Sequence, residues 1–241
     1  MTTLVIDIET IPDETTRDWF DLYVQPEQKV ADSWTGLSEI EYDLAYSKWR
    51  VSQMSLSPEY CKIVGLSWLP YDNGPVSRWV GELIYGDKIG GFVETDTITE
   101  PMLLAKFWQL ATKYGTIITY NGLGFDLEVL KWRSAVLGVS ATCDLSNLKP
   151  WENRVVDLMK RLYATRKSVG LKKVTNILSG KIMAGPRFEP YQDIMHQDGS
   201  SVFEEYFVAL ATGDWNVLKR YGELDVLRTG ALYEFGLGYW W

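Results

Sequence analysis

The chain has 241 residues, 46% of them hydrophobic, and carries a formal net charge of −8. With 11 Trp and 14 Tyr it can bury a sizeable core as one α/β domain or two small ones. The acidic balance argues against a protein that coats nucleic acid generically, since such proteins are usually basic, but it leaves room for an enzyme with a local basic groove.

In chain order, residues 3–8 are mostly β-branched and apolar and read as a buried strand. From Pro12 to about Glu59 the chain is acidic with scattered aromatics. Residues 37–52 have helical spacing, and the region reads as an insertion at about 13–59 packed over the first strand. Residues 61–69, CKIVGLSWL, form a second strand. The turn Tyr71-Asp72-Asn73-Gly74-Pro75 leads into a third over 76–85, making a hairpin. Thr99-Glu100-Pro101 opens a helix to about Tyr114, with the proline in the first turn, where it is tolerated. Gly115 ends that helix, 116–120 is a short apolar strand, and Asn121-Gly122 turns the chain into a helix over 125–137. Residues 154–158 supply a fifth strand. Helical periodicity returns at 171–178, 202–211 and 214–235, with Gly185-Pro186 and Asp198-Gly199-Ser200 in the loops between. This order predicts an α/β fold, a mixed sheet of about five strands with helices on both faces. No repeat, low-complexity tract or Ser/Gly-rich linker divides the chain, so a single domain over 1–241 is expected.

Cys61 and Cys143 are the two cysteines. They fit neither a disulfide framework nor a zinc site, which points to a reducing compartment and a cytoplasmic location. Nothing resembles a signal peptide, and no run approaches the roughly 20 apolar residues of a membrane span. Charge is unevenly placed. Between Arg154 and Arg187 nine basic residues stand against one acid, Asp157, for a local +8 within a chain of −8. Alone, such a run is as readily a solvated helical face. Beside a cluster of metal-binding acids, such a basic lobe would track a phosphate backbone.

Three short clusters carry chemistry. Asp7 and Glu9, two apart in LVIDIET, share one face of the first strand. Asp126, in ITYNGLGFDLEVL, sits in the first turn of a helix. Tyr221 and Asp225, four apart in KRYGELDVL, share one face of the last helix. Singly, each has an ordinary explanation: a strand-end surface pair, charge compensation at a helix N-terminus, a core tyrosine. Four carboxylates brought together would raise one another's pKa values. An oxygen-rich site suits Mg²⁺ or Mn²⁺ and makes little provision for Zn²⁺. Two such ions about 3.5–4 Å apart can clamp the attacking and leaving oxygens of an in-line phosphoryl displacement. The clusters therefore suggest phosphodiester hydrolysis.

The three motifs resemble Exo I, Exo II and Exo III of the DEDD exonuclease superfamily, whose fold is ribonuclease H-like. LVIDIET is similar to Exo I, YNGLGFD to the Asn-x-x-x-Phe-Asp core of Exo II, and YGELD to the Tyr-x-x-x-Asp form of Exo III that marks the tyrosine (DEDDy) subclass. The histidine subclass would need His at the position of Arg220, and the single histidine is His196. More narrowly, the chain resembles exonucleases related to the proofreading domain of family B DNA polymerases, with LSPEYCKIVGLSW and VGLKKVTNILSGK as supporting context. With no polymerase module in the sequence, a stand-alone exonuclease is expected. The resemblance implies that Asp7, Glu9 and Asp225 hold one metal ion. Asp7 would bridge to a second, held by Asp126 directly or through water, and Tyr221 would orient the attacking water. It further implies that Ile8 and Thr10 contact the terminal nucleotide, and that Asn121 and Phe125 help place the last sugar and base; Phe125 fits a core position equally well. The implied activity is 3′→5′ removal of nucleoside monophosphates from DNA, favouring single strands, with two Mg²⁺ or Mn²⁺ ions as cofactor. Nucleic acid is the implied partner, and a replication or repair polymerase is a second candidate.

Other readings stay open. Ribonuclease D-like exoribonucleases also use the tyrosine form, although no accessory helical RNA-binding domain follows here. A catalytically silent nucleic-acid-binding or polymerase-docking module would be marked by loss of a metal ligand, and all four are present. The tail Gly238-Tyr239-Trp240-Trp241 could dock a partner or pack back onto the domain.

Overall fold

The structure is a computed structural model that describes residues 3–71, 84–85, 99–145, 154–163, 169–178, 202–214 and 216–239. Five strands form one mixed sheet: β1 (Thr3–Pro12), β2 (Cys61–Tyr71), β3 (Ile84–Tyr85), β4 (Thr116–Thr119) and β5 (Val155–Asp157). Their spatial order is β3-β2-β1-β4-β5. β2 runs antiparallel to β1 and β3, whereas β4 runs parallel to β1 and β5 parallel to β4. β1 is thus the seam between an antiparallel and a parallel half. A strand in that position is covered on both faces, which is why it reads as a nearly continuous apolar run.

Alternate side chains of β1 enter two different cores. Leu4, Ile6 and Ile8 pack with Leu103, Phe107 and Trp108 of α4 (Glu100–Lys113) and with Leu127 and Leu130 of α5 (Asp126–Val136). Val5 points the other way. It packs with Leu158 of α6 (Leu158–Tyr163), Val174 of α7 (Leu171–Ile177), and Leu224 and Leu227 of α9 (Asn216–Tyr239). α8 (Val202–Thr212) lies against α9 and β1. Helices therefore cover both faces of the sheet. α9 crosses the sheet closely at Gly230, where an added Cβ would lie 3.3 Å from Leu69 Cδ2 and 3.7 Å from Val5 Cγ2.

Between β1 and β2 come a 3-10 turn (Glu14–Thr16), α1 (Arg17–Tyr23), α2 (Gln28–Asp32) and α3 (Glu39–Ser55). Ser38 and Glu41 close a capping box that starts α3. α3 packs against β1 and β2, and its last residue, Ser55, accepts a hydrogen bond from the Thr10 hydroxyl at 2.7 Å. Phe20 of α1 is fully buried, edge-on to Tyr60 at 5.1 Å. Arg133 of α5 ties three elements together. Its guanidinium reaches Asp13 Oδ2 at 2.9 Å and both carboxylate oxygens of Glu100, at 2.8 and 2.6 Å. Such a fork fixes orientation as well as distance, here of α5 relative to the start of α4 and the end of β1.

β1 runs on past Ile8 to Pro12 because β2 follows it through a register shift between Glu9 and Thr10. α6 and the two short helices α1 and α2 lack the length to show a period in sequence. The expected turn at 72–75 and strand residues 76–83, Gly185-Pro186, Asp198-Gly199-Ser200, Trp240 and Trp241 lie outside the described residues. Cys61 is buried, Cys143 is partly buried, and they form no disulfide. No described helix is long and apolar enough to cross a membrane.

Candidate metal centre

Asp7 and Glu9 leave β1 on the face that meets α9, because the residues between and before them, Ile8 and Ile6, fill the opposite core. The β2 residues paired with them, Ser67 and Gly65, are small and leave the space above that face open. α9 fills it with Asp225 and, one turn earlier, Tyr221, which is 3% exposed. Asp7, Glu9 and Asp225 each offer a carboxylate oxygen, and these atoms lie within 4.8 Å of one another.

Asp126 arrives from the parallel side. β4 stops at Thr119, so the edge of β1 beyond Val5 loses its strand partner. Asp126, first residue of α5, takes over there, its Oδ1 accepting from the Ile8 amide at 3.3 Å. This is the crevice past the C-terminal ends of parallel strands, where open α/β sheets place ligands. The loop that delivers Asp126 is held by Asp157 at the end of β5. Asp157 accepts from the amides of Asn121 (3.1 Å) and Leu123 (3.0 Å), and from Lys160 (3.1 Å) in the first turn of α6. Asn121 adopts a left-handed conformation, φ 68°. Gly122 passes so near Thr119 that a Cβ would fall 2.4 Å from its hydroxyl.

The electrostatics follow from crowding acids in a buried place. Burial, then the charges of Glu9, Asp126 and Asp225, raises the Asp7 pKa well above the usual range. Glu9 is pushed up to about 8, by burial first and Asp225 next, with Lys172 acting in the opposite sense. Burial lifts Asp126 to about 7 against the stabilising bonds from its own amide and that of Ile8. Ionising all of these together requires nearby positive charge. Two side chains supply some. Arg228, fully buried, donates to Asp225 Oδ1 at 2.9 Å. Lys172 of α7 places its ammonium 4.5 Å from the centroid of the Tyr221 ring.

The remaining candidates are placed as follows. The Ile8 side chain is in the core, and its amide is the one given to Asp126. Thr10 is 8% exposed, its hydroxyl turned to Ser55. Asn121 holds the loop through Asp157, and Phe125 is partly buried against the core around Ile8 and Leu127. In the basic segment, Arg154 turns inward to the Ala111 carbonyl at 2.9 Å. Lys160, Arg161 and Lys173 are exposed, and Lys172 is half-buried. Arg166, Lys167, Lys181 and Arg187 lie outside the described residues. Sequence reasoning passed over Asp157 and Arg228. An acid closing Val-Val-Asp before Leu-Met-Lys is a helix-cap signal, and Arg228 stands three residues after Asp225, in reach on a helix.

Residues 56–234 match the family described as "Predicted 3'-5' exonuclease related to the exonuclease domain of PolB". The chain belongs to this family. The matched residues include Asp126, Tyr221 and Asp225; Asp7 and Glu9 precede them. Among solved structures, this family member is similar to the family B DNA polymerase from the hyperthermophilic archaeon Pyrobaculum calidifontis. The TM-score is 0.54 and the identity 18%, over 98% of this chain and 24% of the polymerase. The likeness is one of fold, a ribonuclease H-like mixed sheet, and the chain spans about a quarter of the polymerase's length. No curated protein sequence matches the chain.

Proposed function

We propose that the chain is a metal-dependent 3′→5′ exonuclease that removes nucleoside monophosphates from the 3′ end of DNA, preferring single strands. The observation that carries this reading is the group Asp7, Glu9 and Asp225, with carboxylate oxygens within 4.8 Å of one another. Asp126 lies close enough for its charge to raise the pKa values of Asp7 and Glu9. Family membership supports the exonuclease activity and its direction, and the fold shared with a DNA polymerase favours DNA over RNA. The chain acts as one domain, with residues 13–59 as an insertion almost wholly outside the range matched by the family.

An all-carboxylate donor set suits a hard divalent cation such as Mg²⁺ or Mn²⁺. Asp7, Glu9 and Asp225 would hold one ion, and Asp7 with Asp126 a second. Bound there, the pair supplies charge neutralisation at the phosphate and a more acidic water. The chain's own residues do the rest. The Tyr221 hydroxyl orients the attacking water, the Ile8 amide holds the Asp126 carboxylate in one orientation, and Arg228 does the same for Asp225. Their surroundings are largely closed to solvent, so these interactions act at low dielectric and are correspondingly strong.

The test is gel analysis of 5′-labelled single-stranded DNA, duplex DNA and RNA with Mg²⁺, Mn²⁺ or EDTA. Single-stranded DNA should shorten stepwise from its 3′ end with either ion. Neither EDTA-treated wild type nor Asp7→Ala should cleave. Full activity in EDTA or in Asp7→Ala refutes the metal assignment, degradation of RNA alone reassigns the substrate, and binding without cleavage makes the chain a silent module.

A further inference from the structure

We propose that Lys172 is a catalytic residue whose ammonium contacts a non-bridging oxygen of the scissile phosphate, a role its neighbour Lys173 does not share. The proposal rests on the nuclease reading and adds a residue to it.

Three observations set Lys172 apart among the described residues of the basic segment. Its ammonium lies 4.5 Å from the centroid of the Tyr221 ring, on the side chain proposed to orient the attacking water. It is half-buried, while Lys173, the next residue, is exposed. Its charge also reaches Glu9 of the carboxylate group. Among the described residues no carboxylate closes an ion pair with it. A cation held by a ring face keeps its N–H donors for another acceptor, and an anionic phosphate is the acceptor such a centre would receive.

The helix that carries Lys172 is well anchored. The Tyr120 hydroxyl donates to the Val169 carbonyl just before α7 begins, tying it to the end of β4. Val174 and Thr175 are buried, and Val174 belongs to the same core as Leu224 and Leu227 of α9. α7 is thus packed directly on α9, the helix that carries Tyr221 and Asp225. In hydrolysis the water oxygen bonds to phosphorus and loses a proton, and the bond to the 3′ oxygen breaks with its electron pair leaving on that oxygen, which takes up a proton to become the 3′ hydroxyl. Negative charge is redistributed over the phosphoryl oxygens in the transition state. A positioned ammonium meets that charge without transferring a proton, which is how preorganised donors accelerate such reactions.

The experiment compares K172M, K172R and K173M with wild type. It uses single-turnover cleavage of a single-stranded oligonucleotide at saturating Mg²⁺, and oligonucleotide affinity with Ca²⁺ in place of Mg²⁺. K172M should cleave about 100-fold more slowly, in the range for loss of one such donor, with only a small change in affinity, and K172R should recover part of the rate. K173M, at an exposed side chain, should cleave at the wild-type rate. Equal rates for K172M and wild type, or K172M and K173M behaving alike, overturn the proposal. So does recovery of the wild-type rate by K172M at higher Mg²⁺, which would make Lys172 a charge partner of Glu9 alone. If K172M does not fold, judged by thermal melting, K172Q takes its place with the same expected outcomes. Failure of the wild type to cleave any substrate refutes the nuclease reading itself, an outcome distinct from an active wild type with an unaffected K172M.

Discussion

Tyr221→Phe deletes one oxygen and leaves the ring under Lys172 and against the core. Metal and oligonucleotide affinities should then hardly change. The single-turnover rate should fall by about 10-fold or more, as for other positioned acid–base groups, because water orientation matters chiefly in the transition state. Cleavage at the wild-type rate would reduce Tyr221 to packing. The acids predict proton linkage to metal. Glu9, pushed to about 8, and Asp126, to about 7, retain protons near neutral pH that a bound cation must displace. Mn²⁺ binding measured calorimetrically should release protons at pH 7 and tighten as pH rises toward about 8. Proton release that does not change with pH would contradict this. At this scale the sequence was informative because the candidate site residues recur at structural periods: two apart for Asp7 and Glu9, four apart for Tyr221 and Asp225. The same alternation shows why the Ile8 side chain belongs to the other core. Asp157 stayed hidden because its partners lie 34 and 36 residues earlier in the chain, a contact that no local pattern announces.

Elements carry these residues to their places, and the loop between β4 and α5 is the one with least tolerance. Asp157→Ala removes the cap of α6, a loss of about 1 kcal/mol, and strands the Asn121 and Leu123 amides at about 1–3 kcal/mol each if they stay dry. Destabilisation on the order of 3 kcal/mol should appear in urea unfolding. Cleavage should fall further than stability alone explains, since Asp126 loses its support. Wild-type activity in a folded Asp157→Ala would show that the loop holds itself. The boundaries of α4, β4 and α5 were legible to within a residue or two because an apolar run, Asn-Gly and a helix start follow in close succession. α3 was legible from its period. α1, α2 and α6 span seven, five and six residues, too few turns for periodicity to emerge, and tertiary packing supports them instead.

At the scale of the whole molecule, buried acids make metal-free stability depend on pH. Unfolded, Glu9 and Asp126 titrate near 4; folded, they do so at about 8 and about 7. Between those limits the folded chain binds more protons than the unfolded one, so stability falls as pH rises through this window. The melting temperature in EDTA should decline from about pH 5 to about pH 8 on account of these groups, and Mg²⁺ or Mn²⁺ should raise it more at the upper end. An equal metal-induced rise at both pH values would contradict the linkage. The mixed α/β architecture was legible from the order of strands and helices. The seam at β1 was not, because a strand covered on both faces has the same apolar run whatever the direction of its neighbours. The seam also sets the order in which the centre can come into being. Asp7 and Glu9 are made long before Asp225 and Tyr221, which appear only with α9. A nascent chain that has not yet reached α9 therefore lacks part of the proposed centre, and any hydrolytic activity awaits the synthesis of that helix.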